Sequence, residues 1–244
     1  MTVVRKYPGV FSKSLGNINF IPPVTTGLLG AFLLGQDQAY SQKNHAPGGV
    51  DAVMTGAAAY ERSAVVLGPS VYLQTQIVET KSFTFATVAQ VPPAGHAFIG
   101  NLGASGYNGP YAVSEFSNAS LKFGPRAKTT PTGSHLVVEQ ALTDVNRWMM
   151  FIAAWDDASQ TAIAYIPSLQ SAGGPNPLTV TGQNPRDAGT DQLRIGRVIA
   201  SSAVYAASTR HALDYVFNRS LSIAEMQTIY EHAKQWFYPR GIAI

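Results

Sequence analysis

Along most of this chain apolar residues recur with a period of two, in short runs separated by Gly, Pro, Asn and Ser, and that spacing predicts strands joined by turns. Ser82 to Val91 carries the pattern best. Phe83, Phe85, Thr87, Ala89 and Val91 share one face, which reads as core, while Ser82, Thr84 and Gln90 mark the other. Val71 to Val78 alternates in the same way, with Val71, Leu73 and Ile77 against Gln74 and Gln76. Gly27 to Gly35 reads as a buried strand. Arg147 to Trp155 is apolar on both faces, as a central strand covered on each side would be. The turn Asp156 to Gln160 leads from it into Ala162 to Ile166, and the two runs make a hairpin. Gln192 to Ile199 and Leu213 to Phe217 supply further strands, whereas Ser171 to Gly189, broken by Gly, Pro and Asn, reads as a long surface loop.

Near the end the period changes. Ser222-Ile-Ala-Glu225 has the form of a capping box, in which the Ser hydroxyl accepts from the Glu amide and the Glu carboxylate accepts from the Ser amide. Ile223, Met226, Ile229, Tyr230, Ala233 and Phe237 then recur at spacings of three and four, and Pro239 ends the run. This predicts an amphipathic helix over 222–238, docked by one stripe. The first 23 residues follow neither period and hold several Pro and Gly, so 1–23 reads as an extended arm. Val10, Phe11, Ile18, Phe20 and Ile21 are its candidate attachment residues. The remainder, 24–244, is expected to be one all-β domain: a two-sheet antiparallel sandwich of jelly-roll type with a single C-terminal helix.

Composition narrows the function classes. Charged residues make up 13% of the chain, about half the usual share, and 22 Gly with 15 Pro suit a fold with many turns. The formal net charge of +3 comes from basic residues scattered singly, with no run that would track a phosphate backbone, so no nucleic-acid partner is expected. The absence of cysteine excludes disulfides, thiolate metal sites and thiol nucleophiles. The longest apolar stretch has nine residues, Gly27 to Gly35, where a membrane helix needs about 20, so no membrane span is expected. Residues 1 to 26 show no secretory signal pattern.

The order of five segments resembles the concanavalin A-like lectin/glucanase superfamily, above all its laminin G-like branch, over roughly Gly27 to Phe237. They are the opening strand Gly27 to Gly35 with its polar loop (Asn44, His45, Gly48, Gly49); the Ser82-Phe-Thr-Phe85 strand; the Trp148 to Tyr165 hairpin; Leu193-Arg-Ile-Gly196; and Phe217-Asn-Arg-Ser-Leu-Ser-Ile-Ala-Glu225, the most specific. The resemblance implies a concanavalin A-like sandwich. Of function it says less, because this sandwich serves lectins, glycanases, adhesion modules and phage structural proteins alike. A cysteine-free, unsecreted chain with a structureless arm is most similar to the bacteriophage group. It is therefore expected to be a non-enzymatic component of a virion, made in the host cytoplasm, in the tail, fibre or capsid-decoration class. Its expected partners are other virion proteins, copies of itself and a host surface glycan. The alternatives are a free carbohydrate-binding lectin and, less favoured, a glycan-cleaving enzyme.

Glucanases of this superfamily carry a Glu-x-Asp-x-Glu strand, which sets two carboxylates on one face at the ~5–5.5 Å a retaining mechanism needs. This chain has none, and no Gly-x-Ser-x-Gly or Ser-x-x-Lys either, so no catalytic residue is assigned. His45, His96, His135, His211 and His232 are dispersed and read as turn or surface residues. Laminin G-like modules often hold calcium at the sandwich rim, and the resemblance makes Asp156, Asp157 and Asp191 the donors for such an ion. Without it, Asp156 and Asp157 read as turn formers. For a sugar, Gly106-Tyr-Asn-Gly-Pro-Tyr111 offers Tyr107 and Tyr111 for stacking and Asn108 for hydroxyls. The competing reading is a plain turn with two packed tyrosines.

Overall fold

In a computed structural model of the chain, residues 20–92, 94–102, 109–115, 120–124, 140–141, 147–167, 177–181, 188–198 and 203–244 are described. The alternating runs become strands, in chain order β1 (Leu28–Leu33), β2 (Val53–Thr55), β3 (Ala59–Glu61), β4 (Ala64–Leu67), β5 (Tyr72–Val78), β6 (Phe83–Gln90), β7 (His96–Gly100) and β8 (Tyr111–Glu115). They continue as β9 (Ser120–Gly124), β10 (Gln140–Ala141), β11 (Trp148–Asp156), β12 (Thr161–Tyr165), β13 (Leu178–Val180), β14 (Gln192–Ile195) and β15 (Thr209–Phe217). Among the described residues these form two antiparallel sheets. One runs β13-β12-β11-β6-β15-β4-β3, with β1 also paired to β15; the other runs β10-β9-β8-β7-β14-β5-β2. The domain is a β-sandwich.

Two apolar layers hold it together. Phe83 and Phe85 of β6, Phe151 and Trp155 of β11, and Phe98 of β7 are fully buried between the sheets. On the other side of the first sheet a second layer holds Ala86, Val88, Met150, Ile152 and Tyr215 beneath helix α2 (Ile223–Phe237); a one-turn helix, Gln38–Gln42, precedes it in the chain, so that turn is α1 and the C-terminal helix is α2. Hence β6 is buried on both faces, and the face marked by Thr84 is not open to solvent. Thr84 resolves its own burial. Its hydroxyl donates to the Arg219 carbonyl at 2.8 Å and accepts from the Leu221 amide at 3.0 Å, stitching β6 to the entrance of α2.

Met226, Ile229, Ala233 and Phe237 are the buried stripe of α2. The capping box is formed: Ser222 Oγ accepts from the Glu225 amide at 3.3 Å and Glu225 Oε2 accepts from the Ser222 amide at 2.9 Å. Arg219 closes on the same carboxylate and holds it down to about 2. Ser222→Ala should cost on the order of 1 kcal/mol, because one helix-end amide loses its acceptor. The denaturant midpoint measures this, and an unshifted midpoint would mean that the cap carries no stability.

Three sequence expectations need adjustment. The short helix α1 was unmarked by period and begins on Asp37, whose Oδ1 accepts from the Tyr40 amide at 2.8 Å. The stretch Ser171 to Gly189 contains an edge strand, β13, paired with β12. The domain also begins earlier than residue 24. Phe20 is 4% exposed, in a box formed by the rings of His45, Tyr215, His232 and Trp236. Ile21 beside it is exposed; Val10, Phe11 and Ile18 lie outside the described residues.

Candidate functional site

The outer face of the second sheet bears an ordered set of polar side chains. Strand β5 buries Leu73 and Thr75 and leaves Tyr72 and Gln74 half-buried on the opposite face; β14 buries Leu193 and Ile195 and does the same with Gln192 and Arg194. Regular pairing is interrupted between Gln192 and Arg194 by an irregularity in β5, where Gln76 takes a φ of 60°. That left-handed conformation is uncommon for a glutamine, and a bulge of this kind re-aims side chains. Here it brings the Gln76 amide to Gln192.

The result is a directed ladder. Arg194 Nε donates to Gln74 Oε1, Gln74 Nε2 to Gln192 Oε1, and Gln192 Nε2 to Gln76 Oε1, each at 3.0 Å. A guanidinium can only donate, so Gln74 must turn its oxygen to Arg194, and each later amide is then fixed in turn. Each amide oxygen accepts one bond within the ladder, and free N–H groups stand at its two ends, on Arg194 and on Gln76. Gly196 follows with a φ of 87°, and a Cβ there would lie 2.5 Å from Leu67 Cβ, so only glycine makes this turn. The chain thereby returns Arg197 to the same place. The Arg194 and Arg197 guanidinium carbons lie 5.4 and 5.1 Å from the Tyr72 ring centroid. Val53 pairs with Gln74 and Val78 with Gln192, and both valines are exposed, so apolar surface flanks the ladder.

The residues singled out from sequence are elsewhere. Tyr107 and Asn108 lie outside the described residues. Tyr111 is 3% exposed on β8, packed with Leu102, Val113, Val198 and Tyr205 beneath the connection from β14 to β15, so it is a packing residue and not a stacking platform. Asp156 accepts from the Ala158 amide and the Ser159 hydroxyl within its own hairpin turn. Asp157 accepts from Trp155 Nε1, and Asp191 is exposed with its carbonyl bonded to Asn101. Among the described residues no three His, Asp or Glu side chains converge to hold a metal ion, so the three aspartates do not assemble a calcium site there.

The reading of His96 and His211 as turn or surface residues is wrong. Both are fully buried between the sheets, in a chain that also holds Asp214. His96 Nδ1 lies 2.8 Å from the Ala207 carbonyl, His96 Nε2 2.9 Å from His211 Nε2, and His211 Nδ1 3.1 Å from Asp214 Oδ2. The carbonyl accepts only, so His96 carries its proton on Nδ1 and accepts at Nε2; His211 must then donate from Nε2. One further proton lies between His211 Nδ1 and Asp214. The whole chain is therefore neutral, as its burial demands. Burial pushes His96 down to about 3, and raises Asp214 against the opposing pull of His211 and of Thr87, which stands directly opposite it in the ladder. Aspartate and histidine meet here as in a hydrolytic site, but the three residues are sealed from solvent and from any substrate in this conformation.

No protein-family model matches the sequence, and no curated protein sequence does. Solved structures match in fold. The binding domain of botulinum neurotoxin serotype D aligns at a TM-score of 0.60 and 8% identity, over 86% of this chain and 52% of that one. The receptor binding domain of a botulinum neurotoxin C/D mosaic aligns at 0.56 and 10%, over 85% and 52%. Trypanosoma rangeli sialidase in complex with sialic acid aligns at 0.55 and 13%, over 85% and 33%. The chain thus spans about a third to just over half of the length of those chains. The fold they share with it is a β-sandwich, and among the described residues no helix is long and apolar enough to cross a membrane.

Proposed function

We propose that this chain is a non-enzymatic binding module that takes a saccharide on the outer face of β5 and β14. The observation that carries this is the ladder from Arg194 to Gln76. Four polar side chains are held in one orientation before any ligand arrives, so little rotamer freedom remains to be lost on binding. Fixed N–H donors suit sugar hydroxyl and ring oxygens, and Val53 and Val78 offer apolar surface to the C–H faces of a pyranose. Structural neighbours named for receptor binding and for a sialic acid complex support a binding reading. The absent Glu-x-Asp-x-Glu strand speaks against a glycanase of the resembled type.

The module is further proposed to belong to a bacteriophage virion, as a tail, fibre or capsid-decoration protein, with residues 1–19 as the attachment arm. The laminin G-like resemblance and the Pro- and Gly-broken N-terminal sequence support this. Removing residues 1–19 should leave the melting temperature nearly unchanged, because Phe20, the residue that seats the chain in its aromatic box, is kept. The shortened chain should fail to enter the particle that the whole chain joins. Normal incorporation would move attachment to the sandwich. For the saccharide site, Gln192→Ala removes the middle of the ladder and should weaken binding about tenfold on a glycan array with folding intact. Unchanged binding would place the ligand elsewhere.

A further inference from the structure

The hydrogen-bond polarity of this face says more about the ligand than that it is a sugar. A site for a neutral saccharide usually mixes donors and acceptors, because each hydroxyl is both. Here each of the three amide oxygens already accepts one bond within the ladder, which leaves it one lone pair, while both ends of the ladder are donors: the terminal nitrogens of Arg194 and the amide nitrogen of Gln76. Among the described residues neither Arg194 nor Arg197 has an acidic partner, although Arg210 and Arg219 in the same domain are each paired with a glutamate. Two like charges converge on one ring, which steadies both guanidinium groups but neutralises neither. Convergence of unpaired cations is unfavourable by itself and is relieved by an anion between them.

Resting on the saccharide reading above, we infer that the ligand is an acidic saccharide whose carboxylate or sulfate sits at Arg194 and Arg197 beside Tyr72, with the uncharged part of the chain lying along Gln74, Gln192 and Gln76. Tyr72 acts as a positioning residue for the two guanidinium groups. The Gly196 turn accompanies the return of Arg197 to the Tyr72 ring that Arg194 also meets, although the two arginines are three positions apart on a chain that is otherwise leaving the sheet.

The test uses the full chain and three probes on one array: a sialylated oligosaccharide, a sulfated oligosaccharide and a neutral oligosaccharide of similar length. Acidic probes should be retained at least tenfold better than the neutral one, and raising the ionic strength from about 0.05 to about 0.5 M should remove most of that preference. The sialylated and sulfated arms tell which anion is held. Arg194→Gln and Arg197→Gln should each reduce acidic binding about tenfold; Arg194→Gln, which also loses a ladder bond, should weaken the neutral probe as well, whereas Arg197→Gln, outside the ladder, should weaken it far less than the acidic ones. Arg194→Lys should restore only part of it, since it keeps the charge and loses the Nε bond to Gln74. Thermal melts of all three variants should match the parent. Equal retention of neutral and acidic probes, with the Arg→Gln variants unaffected, would overturn the acidic specificity and leave the saccharide reading intact. Retention of no saccharide at all would overturn both.

Discussion

Phe85→Asp and Val88→Asp are each expected to abolish soluble folding, although the two side chains leave opposite faces of β6. Phe85 is buried between the sheets, and Val88 is buried on the far side beneath α2. A carboxylate at either place would have no cation and no donor to meet it. The cost of such a burial is several kcal/mol, a large part of the roughly 5–15 kcal/mol that stabilises an ordinary domain. Gln90→Asp, at the end of the same strand, should be tolerated. Gln90 is half-buried and its side chain meets Arg210, which an aspartate could also approach. Soluble yield and circular dichroism of the three variants decide the matter. A folded Val88→Asp would mean that α2 does not close that face; a folded Phe85→Asp would undo the inter-sheet core.

That second face marks the limit of what the sequence shows about the fold. The strands, the central hairpin and the capped helix were legible because each rests on local period and local capping chemistry. Ala86 and Val88 were also in plain view, but the polar Thr84 and Gln90 at either end made their face look like a solvent face. Thr84 is polar because it bonds the backbone at the entrance of α2, 135 positions away in the chain. The candidate site was hidden for a related reason. In sequence, Gln74 and Gln76 read as the outward side of a strand and Leu193-Arg-Ile-Gly196 as a family-like strand. Their ladder joins residues 116 to 120 positions apart, and depends on an irregular pairing that no period announces. Tyr111 drew attention because aromatic residues near glycine suit sugars, yet the chain between β14 and β15 covers it.

His211 and His96 lie on strands whose pairing is irregular, which no sequence period marks. His211 and Asp214 are three apart, and a regular strand would send them to opposite faces. Pairing of β15 with β6 slips between His211 and Leu213, which inserts Ala212 and returns Asp214 to the side of His211. Strand β7 slips likewise between Ala97 and Ile99 in its pairing with β8.

Mild acid is expected to destabilise the protein through His96 before any carboxylate is lost. The imidazole is held down to about 3 by burial and by the neighbouring His211, against 6.5 when exposed. Between these values the unfolded chain binds a proton there that the folded chain refuses, so stability rises with pH across that window and falls on acidification. The loss is on the order of 1 kcal/mol for each pH unit below 6.5 while the folded imidazole stays neutral, and it levels off near pH 3. His45 and His232 are also lowered by burial and act with the same sign. Asp214 acts with the opposite sign: its carboxyl is raised by burial, so the folded state takes up that proton more readily and the group favours folding at lower pH. Glu225, held near 2 by Arg219, loses its contribution only below its ordinary 4.5. Urea unfolding at pH 7, 6 and 5 therefore reads mainly the histidines. His96→Gln offers Ala207 a donor and His211 an acceptor without a titrating group, and should flatten that slope while keeping the fold. The direct measurement is the imidazole resonance of His96, which should show no protonation down to about pH 4. A midpoint near 6.5 would mean that the proton reaches His96 in the folded state, and the neutral chain from Ala207 to Asp214 would have to be abandoned.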